Sequence, residues 1–128
     1  MLFRSDYVEG APELVAEVAA SSASYDLHDK LRAYRRNGVR EYAVWRVWER
    51  EMDWFVLRAD AYARLTPTAE GVYCSEVLPG LWLDAAALIA GNLSQAIHVV
   101  QQGLASPEHA DFVTRLQQNR AARRADDL

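Results

Sequence analysis

The chain is 128 residues long, the size of one domain, which argues against an enzyme with separate cofactor and substrate lobes. It is 51% hydrophobic and 25% charged, with four Trp, six Tyr and three Phe, so it folds around a core and is not a disordered tail. Fourteen Lys and Arg against eighteen Asp and Glu give a formal net charge of −4, the wrong sign for a protein that coats nucleic acid, so any such contact must be local or metal-mediated.

After a polar lead-in, Pro12 to Ala20 alternates Leu14, Ala16 and Val18 with Glu13, Val15, Glu17 and Ala19, which predicts a short buried strand. Ser21 to Ser24 reads as a loop. Asp26 is a plausible N-cap, Leu27, Leu31 and Tyr34 make one apolar stripe, and Asn37-Gly38 is a stop signal, so a helix is expected over Leu27 to Arg36. Glu41 to Trp48 and Asp53 to Arg58 read as a hairpin, and Tyr62 to Thr66 and Val72 to Val77 as two more strands of an antiparallel meander. Pro79-Gly80 breaks the pattern, Asp84 caps a short helix through Ile89, and Gly91-Asn92 ends it. Leu93 to Leu104 and Pro107 to Arg124 are two further helical segments, with Arg120 to Leu128 charged and frayed.

No apolar stretch approaches the roughly twenty residues of a membrane-spanning helix, and Met1 to Gly10 has no apolar signal core, so a cytoplasmic location is expected. A lone cysteine, Cys74, excludes an internal disulfide and a zinc cluster built on paired thiols. The six glycines are scattered and form no phosphate-cradling loop, and no serine nucleophile elbow occurs. His28, His98 and His109 have no second His or carboxylate at metal-ligand spacing except the near neighbours Asp26 and Asp29, and read as surface or satisfied residues. Trp45, Trp48, Trp54 and Trp82 could stack nucleobases, but aromatics on strands more often pack in a core.

Two charged residues are harder to place. Glu13 and Glu17 share a strand face but lie roughly 13 Å apart, too far to hold one metal together. Glu17 is mid-strand, which fits either an edge strand facing water or a metal-binding or catalytic carboxylate. Lys30 is the only lysine, on the border of the helix's apolar stripe. It either pairs with Asp26 one turn back in solvent or leans toward the sheet.

The run Ala11-Pro12-Glu13-Leu14-Val15-Ala16-Glu17-Val18, the serine-rich loop, Asp26 to Lys30, Tyr34 and Gly38-Val39-Arg40-Glu41-Tyr42 together resemble the Uma-type restriction endonuclease family of the PD-(D/E)XK nuclease superfamily. The resemblance covers about residues 10 to 90 and would match the carboxy-terminal half of the family domain. It implies an α+β fold, a restriction-endonuclease-like mixed sheet with flanking helices, over 1–92, with 93–128 as a helical extension packed on the same domain. It implies a metal-dependent endonuclease acting on nucleic-acid phosphodiesters, most readily DNA, with Mg or Mn. Glu17 would be the metal-binding and catalytic acid. Ala19 stands where the common motif carries its lysine, and Lys30 on the next helix would take that place. Glu13, Asp26 and Tyr34 would be peripheral or supporting.

Family members also carry an earlier Asp on a neighbouring strand. Upstream of Pro12 only Asp6 and Glu9 are acidic, in a segment that does not read as a strand, so weak metal binding and weak or no nuclease activity are expected of this chain. The alternative is a catalytically inactive nuclease-fold module acting in binding or assembly. An amino-terminal part of the fold would then be missing, and the uncovered sheet edge would favour a homo-oligomer.

Overall fold

The computed structural model describes residues 2–4, 7–20 and 26–127, with side chains from residue 10 onward. The Ser21 to Ser24 loop and Asp6 lie outside the described residues. The chain forms two compact units, one through Thr66 and one from Pro67.

The first unit opens with a short antiparallel hairpin, β1 (Leu2–Arg4) and β2 (Tyr7–Glu9). Sequence reasoning expected no strand there. Strands of three residues are too short to show an alternation, and Arg4 and Glu9 dilute the apolar signal. The main sheet follows as β3 (Leu14–Ala19), β4 (Glu41–Arg46), β5 (Glu51–Arg58) and β6 (Ala61–Arg64), in spatial order β3-β4-β5-β6. β3 and β4 run parallel, joined through α1 (Leu27–Arg36), while β4, β5 and β6 form an antiparallel meander. The result is the mixed α+β sheet with a flanking helix that the sequence predicts.

Asp26 caps α1 by accepting a hydrogen bond from the Asp29 amide, and Gly38, at φ +74°, takes the left-handed turn that ends the helix. The stripe of Leu27, Leu31 and Tyr34 packs on Tyr42, Val44 and Phe55 of the sheet, with Val15, Ala19 and Tyr62 at the margin. On the opposite sheet face Ala43, Trp54 and Val56 are buried, and the Trp54 indole donates to the fully buried Glu41 at 3.0 Å. The tryptophans divide: Trp54 is core, Trp45 and Trp82 are half-buried, and Trp48, at the β4–β5 turn, is 73% exposed.

The second unit pairs β7 (Val72–Cys74) with β8 (Trp82–Asp84) as a separate two-stranded sheet. The strand at Val72 is shorter than expected and does not extend the meander. β8, which follows directly on the Pro79-Gly80 break, is an addition. Asp84 caps α2 (Ala85–Ala90), Gly91 closes it, and Asn92 caps α3 (Leu93–Leu104). In α4 (Pro107–Asp126) the helix runs on through the expected frayed segment, which is rich in Ala and Arg, both strong helix formers. His109 Nδ1 lies 3.0 Å from the Pro79 carbonyl, so this histidine is occupied within the unit. No helix among the described residues is long and apolar enough to cross a membrane.

Candidate active site

Strand parity sets the site. Paired residues on neighbouring strands share a face, so Glu17 lies in one row with Val44 and Asp53, on the side covered by α1. A lysine one turn into α1 stands over the end of β3 and can reach that row. Lys30 Nζ lies 3.5 Å from Glu17 Oε1, and Asp26 caps the helix by accepting from the Asp29 amide. The reading of Lys30 as a solvent pair of Asp26 therefore gives way to the sheet-directed one.

Two phenols complete the arrangement. Tyr34, one turn beyond Lys30, donates its hydroxyl to the same Glu17 oxygen, and Tyr42 donates to Oε2 at 3.0 Å. Their rings stand 4.8 Å apart, so helix and sheet converge on one carboxylate. Glu17 is 25% exposed and Lys30 44%, which leaves the pair reachable from solvent. Burial would push the Glu17 carboxyl up. The bonds from Tyr34 and Tyr42 and the charge of Lys30 outweigh it, so its pKa lies below the ordinary 4.5 and it is ionised at neutral pH. A cleft of about 510 Å³, bordered by Pro12, Val15, Tyr34 and Val39, opens next to Tyr34.

Glu13 precedes β3 rather than sitting within it. Its carbonyl accepts from the Glu41 amide at 3.0 Å, which keeps it at the periphery, one end of the strand away from Glu17. Glu41, adjacent to Tyr42 in the chain, points to the opposite sheet face.

A second cluster occupies the same face. Asp53, 4% exposed, accepts from Arg46 Nε at 2.8 Å and from Arg64 Nη1 at 2.7 Å, while Arg46 also reaches Glu51 at 2.5 Å. Burial works against the Arg46 charge, but Asp53 and Glu51 outweigh it and raise its pKa further. Arg64 lies over the Phe55 ring at 5.0 Å and remains 65% exposed. At a strand spacing of about 4.8 Å, Asp53 and Glu17 lie roughly 10 Å apart across Val44. Sequence reasoning gave no role to Tyr42, Arg46, Asp53 or Arg64. The available signal was the hairpin register: a turn at Val47 to Arg50 pairs Arg46 with Glu51 and Val44 with Asp53.

The nuclease resemblance implies a divalent metal. Among the described residues no three of His, Cys, Asp and Glu converge to hold a metal ion, and Glu17 already receives three donors on its two oxygens. A magnesium ion needs several oxygen ligands in near-octahedral array, and this donor set does not fit it. The chain's own groups offer an ionised acceptor, a neighbouring ammonium able to meet a phosphate oxygen, and two phenols that fix the carboxylate's orientation.

The family model Uma2, described as Putative restriction endonuclease, matches residues 3–86. The match opens ahead of residue 10, where the sequence motif begins, takes in the β1–β2 hairpin, and closes just inside α2. No curated protein matches the chain. The matched span holds Glu17, Lys30, Tyr34 and Tyr42, and covers well over half of the 128 residues. The chain belongs to the Uma2 family.

Proposed function

We propose that this chain is a nuclease-type domain that engages nucleic-acid phosphodiesters, DNA first among them, at Glu17 and Lys30. The observation that carries the reading is the 3.5 Å approach of the sole lysine to a mid-strand carboxylate, across thirteen residues of sequence. In that role Lys30 would bind a phosphate oxygen and Glu17 would hold or orient the attacking water, with Tyr34 supporting the carboxylate. Family members generally use a divalent metal. Mg or Mn would here have Glu17 as its ligand, and the poor fit of the described donors predicts weak affinity. The segment would correspond to the later half of the family domain.

A second reading has its own support. The three donors on Glu17 hold it as the anionic centre of a bonded cluster, which favours a catalytically inactive module that keeps the nuclease fold for binding or assembly. We further propose a homo-oligomer through β3, which among the described residues has one strand neighbour in its sheet and carries Val18 at 65% exposure.

Plasmid cleavage in manganese, together with calorimetric titration of manganese, separates the two. The nuclease reading expects nicking that Glu17→Ala and Lys30→Ala abolish, and metal binding lost in Glu17→Ala. Absence of both cleavage and heat at millimolar metal refutes it and supports the inactive module.

A further inference from the structure

We infer that the β4–β5 hairpin tip and the neighbouring end of β6 form a single-strand docking element, in which Trp48 stacks an unpaired nucleobase while Arg46 of β4 and Arg64 of β6 meet phosphates of the same strand. The inference rests on the reading of the Glu17–Lys30 face as a nucleic-acid site and names the form of substrate that site takes.

Trp48 is a large apolar side chain left 73% exposed at a turn, where it packs into no core. It follows Arg46 by two residues, and Arg46 lies on the same sheet face as Glu17. Arg46 closes β4 on that face, and Trp48 follows within the turn that leads into β5. An indole presents a face on which any base can stack, and stacking of this kind needs a base that is not already stacked within a duplex.

The guanidinium pair is held in place. Asp53 bonds both arginines from its buried position, so their orientation is set before any ligand arrives. Arg64 spends one of its five N–H donors on Asp53 and keeps most of its surface in solvent, leaving donors for a phosphate. Glu49 and Glu51 at the same tip offset part of this charge. Stacking therefore carries the larger share of affinity, and duplex DNA, which offers charge without unstacked bases, binds less well. This agrees with an overall charge of −4.

The test is fluorescence polarisation of a labelled oligothymidylate and of a labelled duplex, in EDTA at low salt, with the full chain. Wild type is expected to bind the single strand more tightly than the duplex. Trp48→Ala should weaken single-strand binding about tenfold, the value of one lost base stack, whereas Trp48→Phe should retain most of it. Arg64→Ala should lower the slope of log affinity against log salt by about 0.7, one phosphate contact on a single strand. Equal affinity of wild type and Trp48→Ala, duplex bound as tightly as the single strand, or no binding by wild type each overturns the inference. So does a Trp48→Ala variant that keeps its oligonucleotide but converts an associating sample to monomer, which would assign the indole to a second copy of this chain. Because binding is read without metal, failure of manganese-dependent cleavage with single-strand binding intact sinks the cleavage step alone, whereas loss of Trp48-dependent binding with cleavage intact sinks this inference alone.

Discussion

Glu17 shows how a single carboxylate is tuned by its neighbours. Its two phenol partners come from different elements, Tyr34 from α1 and Tyr42 from β4, and both donate to the ionised form. Because the folded-state pKa is depressed, the associated stability is fully present above the ordinary carboxyl range and is lost as pH falls through the folded value. Tyr42→Phe removes one donor to a charged acceptor. It is expected to cost about 2 kcal/mol at neutral pH, by urea unfolding, and to raise the Glu17 pKa seen by carbon-detected NMR titration. The cost should shrink as pH falls through the folded-state pKa and the carboxyl protonates. A cost independent of pH would mean that Tyr42 acts through ring packing alone, since its ring also lies near Phe55.

Among the elements, close packing in the second unit makes the sharpest demand. Gly103 of α3 lies where a methyl group would collide with the Gly80 carbonyl and the Trp82 ring, so helix and turn touch backbone to backbone. Gly103→Ala is expected to destabilise the protein by about 2 kcal/mol in urea titration, although Ala is the better helix former. Element boundaries were legible in the sequence wherever a cap and a stripe agreed: α1 follows from Asp26, Leu27-Leu31-Tyr34 and Asn37-Gly38, and α2 and α3 from Asp84, Gly91 and Asn92. They were illegible where an element is shorter than its own period, as in β1, β2 and β8. The site divides along the same line. Glu17 and Lys30 stand out as a mid-strand acid and a lone lysine, and their meeting was readable through the family resemblance. Tyr42, Arg46, Asp53 and Arg64 gain meaning only from cross-strand register, which no local window contains.

At the level of the whole molecule the charges are unevenly spread. Nine of the thirteen arginines and the only lysine fall within residues 1–66, so the unit holding Glu17 carries most of the cations while 67–128 is the more acidic. An acidic protein can thus present a locally near-neutral face to a polyanion. The exposed side of β3 bears on assembly: placing a charge there by Val18→Lys should convert any associating population to monomer in sedimentation velocity, without loss of thermal stability. A wild type that sediments as a monomer at every concentration removes β3 as an assembly edge. Finally, the bonds converging on Glu17 work as a latch between α1 and the strands beneath it. A ligand that displaces the Lys30 and Tyr34 donors from Glu17 is expected to loosen Leu27–Arg36 even with its apolar stripe in place. Amide exchange along that helix then serves as a gauge of occupancy even when no bond is cut.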